Sequence, residues 1–210
     1  METSRHAAAQ PPQLLVVVSG SSGVGKDAVI NRIREMQLPF AYVVTATTRE
    51  RRDGEFEGAP YHFVSVERFR QMIDDGEMLE WARVYDNYYG VPLEAVRTSL
   101  ATGLDVMVKV DVQGAATLRQ AVPEAVLIFI QPPSMAELER RLRSRSSETD
   151  EQLAVRLGQA EAEYSQLPVF DYVVTSYPNA IDDVVARIQA IVVAEKSRVH
   201  PRTVQIAPPK

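Results

Sequence analysis

The chain has 210 residues, of which 45% are hydrophobic and 24% charged, and its formal net charge is −5. This composition is typical of a folded globular domain and argues against a disordered or fibrous chain. The absence of cysteine excludes disulfides and thiolate chemistry, and the acidic balance argues against a nucleic-acid partner.

The predicted elements begin after a loose polar tail at residues 1–13, which ends in two prolines. Residues 14–19 are continuously apolar and predict a strand buried on both faces, and residues 27–36 have near-helical apolar spacing. No secretory signal and no run long enough to cross a bilayer is visible, so we expect a cytoplasmic protein without a membrane partner.

Further along the chain, strand-like and helix-like segments alternate. Strands are predicted at 105–110, 125–130 and 171–174, and helices at 114–120, 134–143 and 180–195. Alternation of this kind predicts an α/β fold with a parallel sheet flanked by helices. We expect one domain at 14–196, followed by a second tail at 197–210.

Two stretches interrupt this alternation. Residues 42–91 are rich in charged residues, glycine and tyrosine, with short strand candidates at 61–64 and 77–84, and predict a small mixed α/β insertion. Residues 134–157 are predicted to form a helical, arginine-rich lid, because they are too polar throughout for a core helix.

A glycine-rich loop joins the first predicted strand to the first helix. It fits the pattern G-x-x-x-x-G-K of a phosphate-binding P-loop and consists of Gly20, Ser21, Ser22, Gly23, Val24, Gly25, Lys26 and Asp27. Its backbone N–H groups and the helix N-terminus would bind phosphates, with Lys26 reaching the terminal ones. The sequence therefore predicts a P-loop NTPase-like fold that binds a nucleotide.

Motifs along most of the chain resemble those of guanylate kinases. They run from Thr45-Ala46-Thr47-Thr48-Arg49-Glu50-Arg51-Arg52 through Gly54-Glu55, Gly58-Ala59-Pro60-Tyr61-His62-Phe63-Val64, Glu80-Trp81 and Asn87-Tyr88-Tyr89-Gly90 to Asp111-Val112-Gln113-Gly114-Ala115 and the arginines of the lid. The resemblance covers about residues 14–196. It implies an enzyme that uses ATP with Mg²⁺ to phosphorylate GMP, and that binds GMP on the insertion.

The resemblance also implies the roles of individual residues. Arg49 and Arg52, three apart, would bind the GMP phosphate through planar, bidentate guanidinium groups, together with Tyr61 and Tyr89. Guanine presents two adjacent N–H donors that one carboxylate can accept. The remaining family positions are Glu80 and Thr45 at the base, Asp111 near the acceptor, and the lid arginines Arg141, Arg145 and Arg156 at the transferring phosphoryl group.

The sequence departs from the family pattern at five places. Asp27 replaces the Ser or Thr that holds Mg²⁺, Val91 replaces a Ser or Thr that helps to read guanine, and Lys109 replaces an acidic residue. Ser146 replaces a glycine, and residues 175–177 differ from the usual Val-Asn-Asp. Asp27 could bind Mg²⁺, which we favour, or pair with Lys109, or simply cap the first helix.

Two other functions compete with guanylate kinase. Asp after the P-loop lysine together with Val91 also occurs in ribose 1,5-bisphosphate phosphokinase, although that enzyme would not need Glu80 or the arginine run. The second alternative is a catalytically inactive guanylate-kinase-like binding module. The intact P-loop and lid arginines argue against such a module.

Overall fold

The computed structural model describes residues 11–84, 86–143 and 150–206. Most of the first predicted tail, and Arg145 and Ser146 of the predicted lid, lie outside these residues. In chain order the described elements are β1 (Leu15–Gly20), α1 (Lys26–Glu35), β2 (Phe40–Tyr42), β3 (Thr45–Thr47), β4 (Phe56–Glu57), β5 (Pro60–Phe63), α2 (Val66–Asp74), β6 (Met78–Val84), β7 (Asn87–Pro92), α3 (Leu93–Ala101), β8 (Asp105–Lys109), α4 (Val112–Ala121), β9 (Val126–Gln131), α5 (Met135–Arg143), α6 (Asp150–Tyr164), β10 (Tyr172–Thr175) and α7 (Ile181–Lys196).

The core sheet is parallel, as the alternation of strands and helices predicts. Its strand order is β10-β9-β1-β8-β2, with β1 in the middle, and every neighbouring pair is parallel. All six residues of β1 are buried, because helices cover both faces of the sheet. The P-loop therefore leaves the sheet at the carboxyl end of its central strand, where ligands of open α/β sheets bind.

A second sheet is formed by the chain between β2 and α3. Its order is β4-β5-β3-β7-β6, with β3–β5 parallel and β3–β7 and β6–β7 antiparallel. Phe69 of α2 is fully buried and its ring stacks on Tyr88 at 5.3 Å between centroids. This small mixed α/β layer packs against the core through α4 and β6, so one face of it borders the P-loop side of the core sheet.

The segment after α7 has no regular secondary structure in its described part, residues 197–206, and it lies against the core. Arg202 forms ion pairs with Asp171 at 3.2 Å and with the buried Glu195 at 2.9 Å. Val204 and Ile206 pack on the core cluster that contains Leu118 and Leu127. Among the described residues no helix is both long and apolar enough to span a membrane.

Candidate active site

The P-loop conformation depends on glycine. Gly20, Gly23 and Gly25 have φ values of 140°, 86° and 104°, which L-residues with side chains rarely adopt. A Cβ at Gly20 would also collide with the carbonyl oxygen of Ile130. The loop thus lies tightly against β9 and delivers Lys26 as the first residue of α1.

Lys26 lies at the floor of a cavity of about 180 Å³ between the P-loop and the second sheet. Its ammonium donates to the carbonyl oxygens of Gly20 and Ser21. Burial lowers the pKa of Lys26 and the charge of Lys109 acts in the same direction, while Glu163, Asp27 and Asp111 oppose it. An anionic ligand in this cavity would stabilise the charged form of Lys26.

Glu163 of α6 occupies an anion position on the P-loop. Its Oε2 accepts a hydrogen bond from the Ser22 N–H at 3.3 Å. The positive charge of Lys26 stabilises the ionised carboxylate of Glu163 and acts to lower its pKa. Burial outweighs this effect, so the pKa of Glu163 is raised overall. Sequence reasoning did not identify this residue, because only the packing of α6 over the loop brings it to the cavity.

The acceptor side of the site is built from arginines and tyrosines of the second sheet. Arg49 donates two hydrogen bonds to Glu55, at 2.8 and 3.0 Å, and Glu55 also accepts from the Arg52 backbone N–H at 2.9 Å. The rings of Tyr61 and Tyr89 meet edge to face at 5.8 Å. Both arginines and both tyrosines line one cavity of about 510 Å³, so the structure brings the predicted phosphate clamp together.

Glu55 is a further residue of this clamp. It lies in the Gly54-Glu55 motif, but no role for its carboxylate could be inferred from the sequence. These hydrogen bonds lower the pKa of Glu55, chiefly through the one from Arg49. The carboxylate thereby joins the Arg49 guanidinium to the backbone of Arg52 across the loop after β3.

Glu80 is a buried carboxylate aimed into the smaller cavity. It is 4% exposed, and its Oε2 has no hydrogen-bond partner within the described part of the chain. Burial, with a contribution from the nearby charge of Asp111, raises the pKa of Glu80 to about 8. A buried acceptor without a donor is costly, so this position suits a ligand that brings N–H groups.

Thr45 and Asp111 complete the wall around Glu80. Thr45 is 5% exposed and, like Glu80, lines the smaller cavity. Asp111 caps α4 by accepting from the Gly114 N–H at 2.8 Å. Val91, by contrast, is fully buried in the hydrophobic core and has no hydroxyl with which to bond a base.

Lys109 links the two halves of the site. It is the last residue of β8, and its ammonium donates to the Asp27 carboxylate and, at 2.8 Å, to the Tyr61 hydroxyl. Of the arrangements considered for Asp27, the structure contains the pairing with Lys109. This pairing does not exclude metal contact, because Asp27 remains largely exposed and lines both cavities.

The described lid arginines contact the P-loop from the side. Arg141 donates to the Val24 carbonyl at 3.0 Å and to the Ser176 carbonyl at 2.8 Å, and Arg156 donates to the Ser22 hydroxyl at 3.0 Å. Glu137 anchors Arg140 and Arg141, whose hydrogen bonds lower the pKa of this carboxyl to about 2. Arg141 and Arg156 thus border the loop that would hold phosphates.

The carboxylates of the cavity suit a metal ion that arrives with a nucleotide. Asp27, Asp111 and Glu163 line the same cavity. Even so, the described residues contain no cluster of three or more His, Cys, Asp or Glu side chains that could hold a metal unaided. Mg²⁺ in nucleotide sites uses one or two carboxylates together with phosphate oxygens and water, so the donor set fits Mg²⁺ bound jointly with phosphates.

Comparisons with known proteins agree with this geometry. The family model described as guanylate kinase matches residues 13–195. The chain is 44% identical to guanylate kinase 2, chloroplastic/mitochondrial, of Oryza sativa, over 94% of this chain and 70% of that protein. It is 42% identical to a guanylate kinase of Bacillus subtilis, over 90% of this chain and 94% of that protein. The crystal structure of guanylate kinase from Anaplasma phagocytophilum superimposes with a TM-score of 0.72 at 33% identity, covering 90% of this chain and 89% of that one.

Proposed function

Because the chain belongs to the guanylate kinase family, we propose that it transfers the γ-phosphoryl group of ATP to GMP, giving ADP and GDP. The class of enzyme is a nucleoside monophosphate kinase. ATP would bind on the P-loop side of the cavity and GMP on the side of the second sheet.

One observation supports the proposal more than any other. The cavity of about 180 Å³ is lined both by P-loop residues, Ser22 and Lys26, and by insertion residues, Thr45, Tyr61 and Glu80. A phosphate held on the loop and a nucleotide held on the second sheet would therefore meet in one space. Holding two reactants in contact is the largest part of what a phosphotransferase must do.

The donor side would bind ATP through the backbone N–H groups of the P-loop and the ammonium of Lys26. Glu163 must release the Ser22 N–H for this to happen. Asp27, beside the loop, is the residue we propose to hold Mg²⁺, directly or through water. When bound, Mg²⁺ would neutralise phosphate charge.

The acceptor side would bind GMP at both ends. Arg49 and Arg52, with the hydroxyls of Tyr61 and Tyr89, would hold the phosphate. Glu80 would accept the N1–H and the N2 amino group of guanine, which supplies the donors that its buried carboxylate lacks. Adenine has neither an N1–H nor an N2 amino group, so it would supply neither of the two donors, and discrimination should be strong.

The transferring phosphoryl group needs positive charge around it more than it needs covalent chemistry. Arg141 and Arg156 stand beside the P-loop, and Arg145, between them in the sequence, is the third candidate. We propose that the second sheet and the arginine-rich segment close over both nucleotides and exclude water.

A coupled assay of ADP release with a panel of acceptors tests the proposal. The panel contains GMP, AMP, CMP, UMP and ribose 1,5-bisphosphate at matched concentrations, with ATP and Mg²⁺ in excess. We expect the highest kcat/KM with GMP, and a large loss of GMP use in Glu80→Gln with little change in KM for ATP. A higher kcat/KM with ribose 1,5-bisphosphate would contradict the proposal.

A further inference from the structure

Lys109 occupies a position between the donor and acceptor halves of the cavity. It ends β8, directly beside Val18 of the P-loop strand in the parallel register. Its side chain is 15% exposed and lines the cavity together with Lys26, Tyr61 and Tyr89. Tyr61 and Tyr89 also line the larger cavity with Arg49 and Arg52, so the ammonium lies in the smaller cavity beside the wall that it shares with the proposed phosphate clamp.

The contacts of Lys109 fix its ammonium there. Its Nζ donates to Asp27 and to the Tyr61 hydroxyl, and lies 4.5 Å from the centroid of the Tyr61 ring. The Asp27 carboxylate and the Tyr61 oxygen accept from the ammonium, and a lysine side chain is ordinarily a cation near neutral pH. An ammonium has three N–H donors, and these two contacts use two of them.

The bond from Lys109 to Tyr61 also determines how the tyrosine can act. Because the Tyr61 oxygen accepts from the ammonium, its own proton remains available for another acceptor. A phosphate oxygen beside Tyr61 would receive that O–H and would lie within reach of the ammonium. The Lys109 ammonium and the Tyr61 hydroxyl, from residues 48 positions apart in the chain, thus form a pair of donors for one anion.

We propose that Lys109 is an additional binding residue for the phosphate of the acceptor nucleotide, which it contacts together with the hydroxyl of Tyr61. Asp27 positions the ammonium while the site is empty. This inference rests on the proposed function, since it names a further residue for GMP, and it assigns Lys109 to the acceptor phosphate rather than to the phosphates of ATP.

The experiment compares ligands that differ only in the phosphate. Dissociation constants of GMP, guanosine and ADP are measured by calorimetry or competition, without Mg²⁺, for the wild type and Lys109→Met. We expect a loss of GMP affinity of about ten- to a hundredfold, as for one hydrogen bond between charged groups. Guanosine and ADP affinities should change less than about twofold, because they do not use this contact.

Two further variants separate a ligand contact from a structural role. Lys196→Met is the control. Lys196 pairs at 2.9 Å with Asp105, the first residue of β8, whereas Lys109 is the last, so Lys196→Met should leave GMP binding unchanged. Lys109→Gln keeps polar hydrogens for Asp27 and Tyr61 without the charge. It should reproduce the loss of GMP affinity even if Lys109→Met is poorly folded.

The outcomes are distinguishable. Equal losses for GMP and guanosine would reduce Lys109 to a structural residue, and a loss confined to ADP would place its charge at the donor phosphates; either result overturns the inference. If the wild type phosphorylates GMP but Lys109→Gln binds GMP normally, the inference fails while the proposed function stands. If the wild type binds guanosine and GMP equally weakly and does not phosphorylate GMP, the proposed function itself fails.

Discussion

The backbone of Gly114 lies directly against the carboxylate of Glu80: a Cβ at position 114 would be 2.6 Å from Glu80 Oε2 and 3.0 Å from its carboxyl carbon. Gly114 is the third residue of α4, and its N–H is held by Asp111. This cap fixes the backbone of Gly114 within the first turn of α4. Glycine at this position allows the carboxylate to lie beside the start of the helix.

We expect Gly114→Ala to displace Glu80 and to lower kcat/KM for GMP by about tenfold or more, the order of one well-placed charged hydrogen bond. The KM for ATP should stay within about twofold. Gly158→Ala is the matched control, because Gly158 lies in α6, where no described atom outside the adjacent helix backbone would come within 4 Å of a Cβ. There alanine should be neutral or stabilise the helix by about 0.5–1 kcal/mol. Normal GMP kinetics in Gly114→Ala would show that Glu80 does not need its present position.

The raised pKa of Glu80 predicts a pH-dependent stability. In the unfolded chain this carboxyl ionises near 4.5, whereas in the folded protein it keeps its proton up to about pH 8. Its contribution to the free energy of unfolding therefore falls as pH rises between these values, by at most about 1.4 kcal/mol per pH unit, and levels off above pH 8.

Glu80→Gln removes that titrating group at nearly constant shape. Urea unfolding at pH 6 and pH 9 should show the variant gaining stability relative to the wild type as pH increases, although it uses GMP poorly. A difference between the two proteins that is the same at both pH values would mean that Glu80 is already ionised in the folded protein.

The strands of the core sheet could be predicted from the sequence, whereas most strands of the insertion could not. The strands β1, β8, β9 and β10 are short apolar runs, and a parallel sheet buried on both faces produces that pattern. The three residues of β3 pair with β5, 16 positions later, and two of them, Ala46 and Thr47, pair with β7, more than 40 positions later. No local alternation therefore reveals this strand. The same reason hides Glu163, whose place in the site depends on how α6 packs.

The ion pair between Asp27 and Lys109 could not be predicted from the sequence pattern alone. Both substitutions are visible in the sequence, but they are 82 positions apart. Only the strand order, which puts β8 beside β1 with Lys109 opposite Val18, decides that the two side chains meet. From the sequence, pairing with Lys109 was therefore only one of the arrangements open to Asp27, beside Mg²⁺ binding and helix capping.

Glu55 should be necessary for tight GMP binding although it carries the wrong charge to touch a phosphate. Glu55→Gln removes the negative charge and one of the two oxygens that accept from Arg49 Nη2, so we expect the KM for GMP to rise about tenfold with a smaller change in kcat. Glu57→Gln is the control: Glu57 is exposed and bonds to the exposed His62 instead, at 2.7 Å. A KM that changes equally in both variants would remove the positioning role from Glu55.

Glu163 should compete with ATP for the P-loop. Because its carboxylate accepts the Ser22 N–H and faces Lys26, a nucleotide phosphate has to displace it. We expect Glu163→Gln to bind ADP and ATP about three- to tenfold more tightly, which is the range for one exchanged hydrogen bond. Glu161→Gln alters an exposed carboxylate two residues earlier and should have no effect. Weaker nucleotide binding in Glu163→Gln would mean that the carboxylate assists the nucleotide rather than excluding it.

Asp27 should set the Mg²⁺ requirement of the reaction. Activity of Asp27→Ala, titrated against free Mg²⁺ at saturating ATP and GMP, should show a half-saturating concentration about tenfold higher, because a carboxylate ligand is lost. Asp27→Ser, which supplies the hydroxyl that the family uses, should recover most of the difference. The side chain of Asp27 is 67% exposed but that of Lys109 is only 15% exposed, so we also expect Asp27→Ala to lower the melting temperature, because a largely buried ammonium loses its carboxylate partner. If the Mg²⁺ titration is unchanged in Asp27→Ala and only the melting temperature falls, Asp27 is a partner of Lys109 and not a metal ligand.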